Sequence, residues 1–396
     1  MSLFFPNNRT YCDAASTTPV SKSVARAMKK NQLIFGNPSS IHAEGVKARA
    51  LLNDARRRVA KAVGVRPHEI IFTASGTESN NIAILGSIRA LIEKGCASDS
   101  LHIITSNLEH SSVLQPIKAL ESEGVKVTYL DGVPDGVIRE QDIKNVLSDR
   151  TALVVLSYIN SEIGTIPYVQ KIGSFLRSVR TDRVQKGNDL PLIFHLDASQ
   201  APLYVPIDAE RLYVDSMTLD GHKICGPKGI ACLAVRERVA LVPITYGGGQ
   251  EKGIRSGTES LELIYGFAQA LEDAHCLRES RVEKVGAVRD TLLRLVTTHI
   301  PDAIVNGSLI HRISNNLNIS IPNIDPEFIV LKMDTRGVAI STKSSCLKGE
   351  EESKVVYSIS KNKERARTTL RFSFLPSARN RDAVRVFQAL RGALGR

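Results

Sequence analysis

Lys223 lies in Leu219-Asp220-Gly221-His222-Lys223-Ile224-Cys225-Gly226-Pro227-Lys228-Gly229, 26 residues after Asp197, which closes the run Leu192-Ile193-Phe194-His195-Leu196. An amine and a lone carboxylate are two things that pyridoxal phosphate asks of a protein. The amine holds its aldehyde as a Schiff base, and the anion keeps its ring nitrogen protonated. A lysine in that role must be neutral, so burial beside other cations would lower its pKa. Taken singly, Lys223 reads as a solvated charge and Asp197 as a helix N-cap before Ala198. The flanking glycines, His222 and the pairing itself favour the chemical reading.

Other segments offer the remaining parts of such a site. Ser75-Gly76-Thr77-Glu78-Ser79-Asn80 places a glycine turn where a helix would start. Backbone N–H groups there bind phosphate, and Thr77 adds a hydroxyl. His222, and Thr258 in Arg255-Ser256-Gly257-Thr258, would complete the phosphate cup. Gln200, shortly after Asp197, would reach the ring hydroxyl. His110, in Leu108-Glu109-His110-Ser111-Ser112, reads singly as a capping or surface histidine; beside the other motifs it would stack on the ring and move protons near neutral pH. Cys346 lies in the polar stretch Ser341-Thr342-Lys343-Ser344-Ser345-Cys346-Leu347-Lys348-Gly349-Glu350. Lys343 and Lys348 would favour its thiolate, and Glu350, Glu351 and Glu352 would oppose it.

These residues need a frame that gathers them. Short β-branched runs at 69–74, 101–106, 126–130, 152–158, 192–198, 216–220 and 230–235 alternate with helical patterns such as 44–63 and 77–94. That alternation predicts an α/β fold with a mostly parallel seven-stranded sheet and helices on both faces. Leu153-Val154-Val155-Leu156 is apolar throughout, as a strand covered on both sides should be. Ligands gather beyond the carboxyl ends of such strands. Five candidate segments fall there: 75–77, His110, 160–162, Asp197 and 222–223. A long helix over 261–298, strands at 315–321, 337–341 and 369–374, and a helix over 380–394 predict a smaller α+β domain. The division is 18–260 for the large domain, with 1–17 and 261–396 forming the small one. Residues 177–190 are polar and read as a surface excursion.

The bulk composition sets limits. The 396 residues favour two domains, and 42% hydrophobic with 23% charged residues is globular rather than disordered. A net charge of +11, concentrated in Arg56-Arg57-Arg58 and 361–371, fits solubility better than a nucleic-acid surface, because no aromatic residues interleave with the basic ones. The six cysteines have no C-x-x-C or zinc spacing. No run is long and apolar enough to be a signal peptide or a membrane span. A reducing cytoplasm is the expectation, with no membrane association and no direct nucleic-acid binding.

Together the segments resemble the class V pyridoxal-phosphate enzymes (fold type I), and among them the NifS/IscS-like cysteine desulfurases. The resemblance covers nearly the whole chain. It runs through Tyr11-Cys12-Asp13-Ala14-Ala15-Ser16-Thr17-Thr18-Pro19, Phe35-Gly36-Asn37-Pro38-Ser39-Ser40-Ile41-His42, the 71–81 and His110 segments, and Asn160-Ser161-Glu162-Ile163-Gly164. Asp197-Ala198-Ser199-Gln200, Gly221-His222-Lys223, Arg255-Ser256-Gly257-Thr258, Cys346 and Arg371-Phe372-Ser373 complete it.

The resemblance implies that Lys223 carries the cofactor, His110 stacks on it, and Asp197, Gln200 and Ser161 contact it. Gly76, Thr77 and His222 would hold the phosphate, with Thr258 reaching across a homodimer. Arg371 and Asn37 would clamp the substrate carboxylate. Lys223 would move the α-proton of L-cysteine. Cys346 would then take the sulfur as a persulfide and pass it to an acceptor; an iron–sulfur scaffold, a tRNA-thiolation carrier and a DNA-modification system all remain open.

Three positions depart from the family pattern. Ser161 stands for an asparagine, and Cys225 for an aromatic. Asp220 stands where a serine or threonine would touch the phosphate, so its carboxylate is expected to turn away or to pair with a cation. Two other functions remain open. An aminotransferase or selenocysteine lyase would use the same frame, and a non-catalytic binding protein would keep the fold without the chemistry.

Overall fold

The computed structural model describes residues 9–131, 134–342 and 352–395. The first half runs β1 (Thr10–Tyr11), α1 (Lys22–Asn31), α2 (Ala43–Val63), β2 (Ile70–Thr73), α3 (Gly76–Glu93), β3 (His102–Ser106), α4 (Ser111–Ser122), β4 (Lys126–Leu130), α5 (Glu140–Lys144), β5 (Thr151–Ser157) and α6 (Val169–Gln185). Then come β6 (Ile193–Asp197), β7 (Ser216–Asp220), β8 (Ala231–Val235) and α7 (Leu261–His299). The last part holds β9 (Ile304–Val305), β10 (Asn316–Ser320), α8 (Pro326–Thr335), β11 (Val338–Ala339), α9 (Lys354–Ser360), α10 (Lys363–Arg367), β12 (Thr369–Ser373) and α11 (Asn380–Leu394).

The main sheet has seven strands in the order β2-β8-β7-β6-β5-β3-β4. Only β8 is antiparallel to its neighbours, β2 and β7. Six carboxyl ends therefore point the same way. Apolar strands such as β5 are buried almost end to end because helices cover both faces. Local capping fixes where the helices begin. Ser75 caps α3 by accepting from Glu78 N at 3.1 Å. Gly64 closes α2 in the left-handed region, at φ 68°.

A second sheet, β12-β10-β9, is antiparallel, and β1 pairs in parallel with β11. The 39-residue helix α7 serves two cores. Its first turns, through Ala274, join the core under the main sheet. Val285, Val288, Leu292 and Val296 join the core formed by β10, β12 and α11. One expectation fails: 177–185 is not an excursion but the last half of α6. Its Arg183 is 4% exposed and donates to the Thr151 and Ser148 carbonyls, so a charged residue serves as a buried strut.

Candidate active site

A cavity of about 200 Å³ opens at the carboxyl ends of β5, β6 and β7. Lys223, Asp197, His110, Gly76, Thr77 and His222 line it, as do Gln200, Ser161 and Arg371. Nine of the expected site residues thus meet in one place. Asn37 and Thr258 are exposed and do not line the cavity. Cys346 lies outside the described residues.

Lys223 Nζ donates to the carbonyls of Ala15 at 2.7 Å and Ser16 at 2.6 Å. Gln200 Nε2 donates to the same Ala15 oxygen at 2.8 Å. The stretch before α1 is therefore part of the cavity wall. It is tied to the lysine turn by Thr18, whose hydroxyl donates to His222 O at 2.8 Å and accepts from Cys225 N at 2.7 Å.

Asp197 closes β6. Its Oδ1 accepts from Ser199 N at 3.0 Å and Ser199 Oγ at 2.6 Å, and its Oδ2 accepts from Asn80 Nδ2 at 2.8 Å. Asn80 and His195 are both fully buried. Asn80 Oδ1 can only accept, so His195 Nε2, 3.1 Å away, carries the proton. His195 Nδ1 then accepts from Ser216 Oγ at 2.8 Å. Burial pushes the His195 pKa down to about 4 against the pull of Asp197. On the other side, Asn80 Nδ2 donates to Ser112 Oγ at 2.9 Å, and that hydroxyl meets His110 Nδ1 at 2.8 Å. His110 Nδ1 also accepts from Ser112 N at 3.1 Å, which leaves the proton of a neutral ring on Nε2. A continuous chain thus joins Asp197 to His110. Sequence reasoning missed its middle members, Asn80 and Ser112, and His195, which braces Asn80 from the side. The signal was available: two polar residues early in helices that follow strands, and a histidine inside an apolar strand.

Behind His110, the buried Glu109 accepts from Ser106 Oγ and Ser157 N, each at 2.7 Å, and from Ser157 Oγ. Burial, reinforced by the nearby Asp197, raises its pKa to about 7 even though these hydrogen bonds act to lower it.

Arg371, on β12, is 2% exposed. Its Nη2 donates to Asp13 Oδ1 and Ser16 Oγ, both at 2.8 Å, and Nη1 donates to Ser161 O at 3.1 Å. Its Nε is buried without a hydrogen-bond partner among the described residues. A buried donor left over beside a cavity fits an acceptor brought by a ligand.

Of the two courses expected of Asp220 at the phosphate end, the structure shows the one beside His222. Asp220 does not turn away. Its Oδ2 accepts from Gly76 N at 2.9 Å, at the first residue of α3. Its Oδ1 accepts from His222 N at 3.3 Å, and His222 Nε2 lies 3.4 Å from Oδ2. The pairing with a cation holds when His222 is protonated. Burial disfavours the Asp220 charge, but the hydrogen bond and charge of His222, the Gly76 N–H and Lys223 together hold its pKa below the usual range.

The parts present fit pyridoxal phosphate at the ring and lysine: an anion, a histidine and an amine line one cavity. At the phosphate, Gly76 N–H, Thr77 and His222 fit, and the Asp220 carboxylate does not.

A sequence model of the family described as Aminotransferase class-V matches residues 10–386. A protein of Dictyoglomus turgidum named cysteine desulfurase IscS is 38% identical over 92% of this chain and 89% of its own length. One of Pseudomonas fluorescens with the same name is 38% identical over 92% of this chain and 87% of its own. Among solved structures, one titled NifS-like protein superposes with a TM-score of 0.86 at 29% identity, over 98% of this chain and all of that one. Another, titled SspA in complex with cysteine, has a TM-score of 0.76 at 33% identity, over 93% of this chain and 99% of that one.

Proposed function

The chain belongs to the class-V aminotransferase family, and on that footing we propose that it is a cysteine desulfurase. It takes sulfur from L-cysteine, releases L-alanine and passes the sulfur from Cys346 to an acceptor protein. The observation that carries this reading is the single cavity faced by Lys223, Asp197 and Arg371, the last with a spare buried donor. Similarity to proteins named cysteine desulfurase over 92% of the chain supports the choice of substrate.

Pyridoxal phosphate, held by Lys223, His110, Asp197, Gln200, Gly76, Thr77 and His222, would supply an electron sink for the charge left at the substrate α-carbon. The protein supplies the rest. The rigid fork of Arg371 orients the substrate carboxylate. Lys223 Nζ, released from the Ala15 and Ser16 carbonyls, takes the α-proton. Asp197 is held in place by Asn80 and Ser199, so it presents a fixed anion without reorganising. His110, its Nδ1 fixed by Ser112, keeps Nε2 available for proton transfer. The Cys346 thiolate attacks the substrate sulfur. The Cβ–S bond breaks and its electron pair stays with carbon; a proton added at Cβ and the α-proton returned by Lys223 complete alanine, while sulfur remains on Cys346 as a persulfide.

The division into 18–260 and 1–17 with 261–396, the homodimer with Thr258 crossing to the partner's site, and the cytoplasmic location belong to the same proposal. The exposure of Thr258 agrees with the dimer. No helix among the described residues is long and apolar enough to cross a membrane.

The test is alanine and sulfide production from L-cysteine with a reductant. The Cys346→Ala variant loses sulfide release by at least ~10²-fold. An aminotransferase needs no thiol, so unchanged turnover in that variant would replace the desulfurase reading with that one.

A further inference from the structure

This inference rests on the reading that the cavity takes pyridoxal phosphate. Asp220 is the last residue of β7 and is 7% exposed. Its carboxylate lies against the start of α3, an 18-residue helix. The first N–H groups of a helix have no partner within it and carry partial positive charge, which makes them a seat for an anion. Here an anion of the chain itself sits on that seat. The approach is close because residue 76 has no side chain: a Cβ there would stand 3.0 Å from Asp220 Oδ2 and 3.2 Å from Ser199 Oγ.

The groups that face Asp220 can be named. His222 and Lys223 come from its own turn, and Asp197, at the end of β6, lines the same cavity. On β8, the buried Cys232 thiol feels the Asp220 charge. The start of α3 contributes N–H groups and Thr77, and the turn after β6 contributes Ser199.

We propose that Asp220 is an internal competitor for the cofactor's phosphate, so that seating the cofactor takes up a proton and weakens as pH rises. A phosphate monoester is a dianion above its second pKa of about 6. Two anions on the same N–H donors do not both stay charged. The proton comes from solvent and settles between Asp220, His222 and the phosphate. Supplying it costs affinity as pH rises, and a serine or asparagine at this position removes that cost.

Pyridoxine 5′-phosphate tests this without activity, because it has the ring and phosphate but no aldehyde to react with Lys223. Its binding to the full-length protein is measured by titration calorimetry at pH 7 and pH 8.5, in buffers of different ionisation enthalpy. With one linked proton, the wild-type Kd rises ~10-fold per pH unit and about one proton is taken up per ligand. Asp220→Ser and Asp220→Asn each bind ~10-fold more tightly at pH 8.5 and lose the uptake. Asp220→Asn keeps the side-chain shape, so misfolding of the serine variant does not decide the result. Equal affinity and equal uptake in all three proteins overturn the role of Asp220 and leave the cofactor reading standing. Failure of all three to bind at either pH overturns both.

Discussion

At one end of the cavity, Asn80 donates to both Asp197 and Ser112 and accepts from His195, and Ser112 in turn fixes His110. At the other end, Gly76, Asp220 and His222 are also mutually satisfied, but by a charge that the expected ligand must displace. The first end holds an anion that a ligand cation would need. The second holds an anion where a ligand anion would go. Satisfaction of hydrogen bonds is therefore not the same as readiness for a ligand. A pre-ordered site helps only when the charge it presents is opposite to the charge that arrives.

The largest break in this contrast is Asp197→Asn. The new amide must direct its NH₂ either at the Asn80 amide or at the Ser199 donors, and every one of those groups already donates. Asn80 then flips and leaves His195 Nε2 facing a donor. One charged hydrogen bond is lost and two neighbours are inverted, a cost of about 4 kcal/mol, or ~10³-fold in alanine production. A fall below ~5-fold would mean that the ordered end is ordered for stability and not for chemistry.

A second change sharpens the contrast by asking whether the ordered end responds to pH. Glu109 has its pKa raised from an ordinary 4.5 to about 7, chiefly by burial. The folded protein therefore holds this proton more tightly than the unfolded chain does. The stability it contributes is complete below pH 4.5 and is lost as pH rises to about 7. The loss amounts to about 3 kcal/mol. Glu109→Gln stays neutral and keeps acceptors and donors for Ser106 and Ser157, so its denaturation midpoint stays flatter across that window. Parallel pH profiles for the two proteins would show that Glu109 is ionised throughout.

The two ends also differ in how far the sequence disclosed them. Asp197, Lys223 and His110 were legible because each follows a short apolar run, and residues at strand ends converge whenever the sheet is parallel. The direction of Asp220 was not legible, because its partner Gly76 lies 144 positions away and only the packing of α3 against β7 brings them together. The α6 helix was misread for a related reason. Its charged residues suggested solvent, yet Ile172 and Leu176 are buried along the same helix and Arg183 reaches the Ser148 and Thr151 carbonyls at the start of β5. The strands β1 and β9, of two residues each, carry no periodic signal at all. Asn37 was named only through family resemblance and Thr258 also as part of a phosphate cup, and neither lines the cavity.

The smallest effect probes the crowded end directly. A methyl group at residue 76 would meet Asp220 Oδ2 at 3.0 Å and Ser199 Oγ at 3.2 Å, tighter than ordinary contact. Both neighbours are side-chain ends that move by a few tenths of an ångström, so Gly76→Ala folds and strains the turn by about 1 kcal/mol. In the wild-type background that strain weakens pyridoxine 5′-phosphate binding ~5-fold. With Asp220→Ser the nearer contact is gone, and the same alanine costs ~2-fold or less. The two substitutions touch, so their effects do not add. Additive losses in the double variant would place the Asp220 carboxylate away from Gly76 whenever the ligand is bound, and the contrast between the two ends would then belong to the free protein alone.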